Sequence, residues 1–146
     1  MKPADVAGRD PLDLGVNSES ATTREVENLY TEVELVLDKC ETTITKQPVL
    51  YPADRQAQIT SFVITLAPGA VVSEHMHPVP AYGYILDGEL TITYEKETPL
   101  TFTKGEAFIE AVHTWHHGKN TGTVPTRILA VFMGAKGLPN VIQPPE

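Results

Sequence analysis

The sequence predicts an all-β domain, a sandwich or closed barrel, from three observations. After about residue 31 the apolar residues come in short runs, the clearest of them with a period of two. Those runs end at Gly, Pro or Asp-Gly pairs, and no amphipathic helix of normal length interrupts them. Short alternating strands each bury one face, which two packed sheets or a closed barrel can satisfy. The chain has 146 residues, 41% of them hydrophobic, which is enough for one domain with a core.

Residues 1 to about 30 differ from the rest. Pro3, Gly8, Pro11 and Gly15 punctuate them, followed by Ser18, Ser20, Thr22 and Thr23. This composition predicts an irregular N-terminal tail, partly ordered or swapped onto a neighbour. A short helix over Thr22–Tyr30 fits within it, with Thr23 as cap and Val26, Leu29 and Tyr30 on one face. The barrel is expected over 31–146. Val33–Leu37 is short and β-branched and reads as its first strand; Ile59–Leu66 is the strongest strand and stops at Pro68-Gly69. Tyr82–Leu86 stops at Asp87-Gly88, a hairpin signal. In Glu89–Tyr94, Leu90, Ile92 and Tyr94 share one face and Thr91 and Thr93 the other. Thr98–Phe102 and Ala107–Ile109 flank a turn at Lys104-Gly105-Glu106, and Thr126–Met133 is the last apolar strand.

Charge and cysteine content narrow the partners. The formal net charge of −8, from 11 Lys+Arg against 19 Asp+Glu, argues against nucleic acid and anionic membranes, which need clustered positive charge. No apolar run approaches the roughly 20 residues that span a bilayer, and Met1–Asp5 lacks the apolar stretch of a signal peptide. A cytoplasmic location is expected. The single Cys40 permits a reducing compartment and reads as a small packing residue in a strand rather than a reactive thiol.

All five histidines lie between 75 and 117, in two clusters: His75-Met76-His77 and His113-Thr114-Trp115-His116-His117. In a strand, residues i and i+2 point to one face, so His75 and His77 place two imidazoles where one ion bridges them. Neutral imidazole suits several divalent transition metals, and a third nitrogen from the second cluster would complete a facial set with positions left open. Surface histidines near a barrel mouth are the plainer reading of a His-x-His pair.

The flanking residues carry a resemblance. Gly69, five residues, His75, one residue, His77, three residues, Ala81, six residues and Gly88 resemble the first motif of the cupin superfamily. Gly105, five residues, Ala111, one residue, His113, two residues, His116, three residues and Asn120 resemble its second. The resemblance implies a double-stranded β-helix, or jelly-roll, barrel. It also implies a divalent ion (Fe, Mn, Ni or Zn) held by His75, His77 and His116. Small barrels of this family commonly pair, so a homodimer is expected.

Two departures from the family pattern matter. Ala81 stands where a glutamate ligand is usual and cannot ligate, which leaves three neutral ligands and an open side. Tyr82 would supply a phenolic oxygen there if its strand were offset by one residue. Ala111 and His113 stand where Pro and Gly are usual; His tolerates the left-handed region, and His113 is then either a proton carrier beside the pocket or an exposed turn residue. His117 should face away from the ion. Ala81 and Gly83 share the metal-side face and leave space for a substrate, unless Trp115 or another bulky neighbour fills it. The resemblance implies a small-molecule ligand but chooses no reaction. Three-histidine sites of the family resemble those of oxygenases, so a metal-dependent enzyme of that kind is the first expectation, with His113 and Tyr82 as catalytic candidates. A non-catalytic small-molecule or sugar-binding module is the second.

Overall fold

The alternating runs become strands because each buries one face against the opposite sheet. In the computed structural model, which describes residues 21–26 and 29–146, eight strands follow one short helix, α1 (Ala21–Val26). They are β1 (Ala57–Leu66), β2 (Val71–His75), β3 (Ala81–Asp87), β4 (Glu89–Tyr94), β5 (Leu100–Thr103), β6 (Ala107–Ile109), β7 (His116–Lys119) and β8 (Thr126–Ala135). They form two four-stranded antiparallel sheets, β1-β8-β3-β6 and β2-β7-β4-β5. This is the all-β jelly-roll arrangement the sequence predicts.

The core lies between the sheets. Ile85, Phe108 and Ile128 from the first meet Leu90, Ile92 and Tyr94 from the second. In β4 the buried residues are Leu90, Ile92 and Tyr94, the face read from the alternation. Burying a side chain such as Ile85 or Ile92 fully contributes about 1.5–3 kcal/mol. A smaller cluster of Val79, Ala81 and Phe132 continues the packing.

Asp87-Gly88 does something other than close a hairpin. The strands on either side of it belong to different sheets, so the pair is a corner where the chain changes sheet. Gly88 sits at φ +76°, and a Cβ there would stand 2.7 Å from the Pro125 carbonyl oxygen and 2.9 Å from the Thr126 Cα. Both the left-handed backbone and the close approach require glycine. The β4–β5 pair, by contrast, is a true hairpin within one sheet.

Four other expectations are corrected. Val33–Leu37 is not a strand; no ladder pairs it among the described residues, and β-branched composition alone does not supply a partner. α1 begins before Thr23, which lies inside the helix, and Leu29 and Tyr30 beyond it are exposed. Cys40 is exposed and outside any strand, its thiol donating to the Thr42 carbonyl at 3.0 Å. β2 and β7 are strands that the apolar pattern did not mark. The expected tail over residues 1–20 lies outside the described residues. Residues up to Asp38 and Lys39–Glu146 form separate units; α1 belongs to the first, the barrel and the site to the second. No helix among the described residues is long and apolar enough to cross a membrane.

Candidate metal centre

The strands bring three histidines together. β2 pairs with β7 so that His75 faces His116, and a register shift between Val72 and His75 marks a bulge. Without that extra residue, Val72 and His75, three apart, would point to opposite faces; with it, both face the cavity. His77 follows the strand, in a stretch kept extended by the antiparallel bridge between Met76 and Ile142. The i, i+2 relation therefore survives past the strand end. The rings of His75 and His116 are 4.4 Å apart, His75 and His77 4.9 Å, and His77 and His116 5.0 Å.

Each imidazole is oriented by a backbone carbonyl. Nδ1 donates to Ser73 O at 2.6 Å from His75, to Asn140 O at 2.9 Å from His77, and to Thr114 O at 2.9 Å from His116. A carbonyl only accepts, so in the neutral ring Nδ1 holds the proton and Nε2 is a bare lone pair. This carbonyl-to-Nδ1 pattern is the one that fixes metal-ligating histidines. One ring nitrogen from each residue lies within 4.8 Å of the other two. The buried Nε2 atoms of His77 and His116 have no hydrogen-bond donor, and the polar group beside them, the Glu110 carboxylate, is itself an acceptor when ionised. Buried acceptors are normally satisfied, so acceptors that converge without a donor fit a cation. The residues present therefore fit a divalent ion.

Tyr94 supports the centre from below. It is fully buried, its ring packs 4.8 Å from the His116 ring, and its hydroxyl accepts from the buried Ala111 N–H at 3.0 Å. Burial and the nearby Glu110 charge push its phenol well above the usual range. Tyr94→Phe leaves the Ala111 N–H without a partner and is expected to destabilise the fold by about 1–3 kcal/mol. Urea unfolding checks this as a lower midpoint with an unchanged slope.

Sequence reasoning missed Glu110. It follows β6, and its Oε2 lies 2.7 Å from His77 Nε2 and its Oε1 3.7 Å from His116 Nε2. For His77, burial pulls the pKa down, but the Glu110 carboxylate and the Asn140 carbonyl outweigh it and the net shift is upward. For His116 burial wins over the same carboxylate and the net shift is downward. Burial pushes the Glu110 carboxyl up, yet the three imidazoles, His77 foremost, leave it lowered. The signal that would have found it is alternation: Glu110 is two residues from Phe108, which faces the cavity, so a carboxylate there points inward.

The site opens on a cavity of about 380 Å³, walled mainly by apolar side chains of both sheets, with the histidines, Glu110, Ser73, Glu74 and Gln143 as its polar lining. Ala81 and Gly83 are buried and both line it, as their shared face predicts. The space beside Gly83 is taken by Phe108, whose ring lies 2.4 Å from where a Cβ would sit. Trp115 does not fill it; with His117 it borders a second recess, beside Glu74 and Glu95. Tyr82 is half-buried and borders the main cavity. β3 keeps continuous register with β8 from Ala81 to Ile85, so the offset that would turn its phenol into the slot at Ala81 is absent. His113 adopts φ +55°, the backbone a glycine would take, and its side chain is exposed. What it gives the site is its backbone N–H, which donates to the His77 carbonyl at 2.8 Å.

A jelly roll with three carbonyl-oriented imidazoles at the mouth of an internal cavity defines a class of small barrel built around a candidate metal centre. Residues 62–132 match the family model for the cupin domain, and that part of the chain is a cupin domain. Among solved structures, the DMSP lyase DddQ of Ruegeria pomeroyi DSS-3 is 23% identical, with a TM-score of 0.51 over 60% of this chain and 44% of that one. The Lactobacillus farciminis oxalate decarboxylase, in its formate complex, is 20% identical, with a TM-score of 0.52 over 60% of this chain and 27% of that one. The chain spans less than half the length of either, and the likeness is one of fold. No curated protein matches the sequence.

Proposed function

We propose that this protein is a metal-dependent enzyme acting on a small molecule, with His75, His77 and His116 as the ligands of one divalent ion. The observation that carries this reading is the set of three Nδ1-to-carbonyl hydrogen bonds, which leaves Nε2 free on three imidazoles whose ligand nitrogens lie within 4.8 Å of one another. A bound Fe, Mn, Ni or Zn ion supplies Lewis acidity there and, for the redox-active metals, oxygen chemistry. The protein's part is to hold the imidazoles in one tautomer and to surround a substrate with apolar walls that limit water. Glu110 sets a carboxylate beside His77 Nε2. Tyr82 at the cavity wall and His113 outside it are the proton carriers the sequence offers.

Oxygenase chemistry is the class to test first. The experiment is an oxygen-uptake and product screen of the iron-loaded protein, with His77→Ala as control. Turnover lost in the variant is the expected result. Binding without turnover across a broad substrate panel would move the assignment to a small-molecule binding module.

The protein is also expected to pair with a second copy. β1 is an edge strand, and Ile59, Phe62 and Val63 on it are 63%, 52% and 54% exposed. A long apolar edge that no described strand pairs invites strand addition. Sedimentation at micromolar concentration distinguishes dimer from monomer.

A further inference from the structure

We propose that Glu110 is the fourth protein ligand of this centre, a carboxylate supplied across the sheet to the place where Ala81 supplies none. The inference rests on the metal reading above and extends its ligand set.

Register places it. β3 pairs with β6 through Tyr82–Ile109 and Gly83–Phe108, so Ala81 stands opposite Glu110, and the Glu110 N–H donates to the Ala81 carbonyl at 2.9 Å. Directly opposed residues project to the same face with Cβ atoms about 4.5–5.5 Å apart. A carboxylate leaving position 110 therefore enters the space a longer side chain at 81 would occupy, and the methyl of Ala81 leaves that space free. Both residues line the cavity.

Two ligands each about 2.1 Å from one ion, at tetrahedral or octahedral angles, stand about 3.0–3.4 Å apart. The Glu110 oxygens lie on either side of that range, 2.7 Å from His77 Nε2 and 3.7 Å from His116 Nε2, so the carboxylate must shift to join the three imidazoles, whose ligand nitrogens already lie within 4.8 Å of one another.

Chemistry gives the reason. With Nδ1 of His77 donating to Asn140, its Nε2 and the Glu110 oxygen are both acceptors, and two lone pairs at 2.7 Å repel unless a cation lies between them. A proton satisfies one such pair; a divalent ion satisfies the carboxylate and all three imidazoles together. The donor set is then three nitrogens and one oxygen, and the centre carries one positive charge rather than two.

The test is a cobalt(II) titration of the metal-stripped full chain, read by visible absorption and by competition with a chelator. The proteins are the unaltered chain, His77→Ala, Glu110→Gln, Glu110→Ala and the double variant Ala81→Glu/Glu110→Ala. The isosteric Glu110→Gln is expected to lower cobalt affinity by more than about 100-fold, beyond the 10–100-fold that losing an outer hydrogen-bond partner costs, and to change the ligand-field bands. The double variant is expected to recover most of the affinity lost in Glu110→Ala, because a carboxylate again reaches the ion from the facing position. Recovery would not follow if Glu110 only braced His77 from outside. Unchanged affinity and spectrum in Glu110→Gln, with cobalt lost in His77→Ala, would overturn the Glu110 assignment and leave the three-histidine centre standing. No cobalt binding by the unaltered protein would overturn both.

Discussion

His77→Ala is expected to lower divalent-metal affinity by more than about 100-fold, beyond the 10–100-fold that losing an outer hydrogen-bond partner costs. His77 is 2% exposed and its ring is held from every side. Asn140 fixes Nδ1, Phe132 packs 5.2 Å away, and the other two imidazoles lie about a ring's width off. Alanine at 77 removes one lone pair and the partner of Glu110 together, and nothing else in the stretch can swing in, because Pro78 and Pro80 stiffen the chain beyond it. The effect is visible in thermal unfolding. Metal at 100 times its dissociation constant stabilises the unaltered protein by about 2.7 kcal/mol, or roughly 5–10 °C for a domain of this size. The variant should show no metal-dependent shift over the same range. A shift equal to that of the unaltered protein would remove His77 from the centre.

Asn120→Asp is expected to be the most destabilising isosteric change in the barrel. Asn120 is fully buried. Its side-chain nitrogen donates to Leu66 O at 3.0 Å and Val124 O at 2.8 Å, and its Oδ1 accepts from Gly122 N at 2.9 Å. Its backbone holds Gly69 and Ala70, so one residue ties the end of β1, the turn into β2 and the loop before β8. An aspartate keeps the shape but aims an oxygen at two carbonyls and buries a charge, a cost of about 3–5 kcal/mol at neutral pH. The sign with pH follows. The buried carboxyl has a folded pKa above its unfolded value of about 3.9, so the charge part of the penalty is absent below about pH 4. It grows as pH rises from there and levels off past the folded pKa. Urea unfolding at pH 7 and pH 4 should show the gap to the unaltered protein narrowing at the lower pH. A small, pH-independent gap would mean that Asn120 is not the tie described.

The barrel was legible because its strands are amphipathic in the simplest way. Glu89–Tyr94 alternates without a break, and its boundaries match β4 residue for residue. β2 and β7 were hidden for opposite reasons. β2 contains a bulge, which breaks the period of two at Ser73-Glu74. β7 reads His116-His117-Gly118-Lys119, with no apolar residue to mark a buried face. Asp87-Gly88 signals a turn but not which strands it joins; here the chain changes sheet, and the register shift between Ile85 and Asp87 accompanies it. Val33–Leu37 shows the reverse failure, a strand composition without a pairing partner among the described residues.

At the site, sequence spacing located the histidines but not what orients them. The carbonyls of Ser73, Thr114 and Asn140 are backbone atoms and leave no residue-type signature; Asn140 lies 63 residues beyond the ring it holds. Glu110 carries no motif signal, because the family pattern places its carboxylate at 81. A sheet offers two ways to put a side chain at one point on its face, along a strand or across from the neighbouring one, and only register tells which is used.

The central claim is that three imidazoles bind one ion, and X-ray absorption at the metal edge of the fully loaded full-length protein tests it most directly by counting them. The account predicts three imidazole ligands on a single divalent ion per chain. Two or fewer at full metal content, or no bound metal at all, would contradict it.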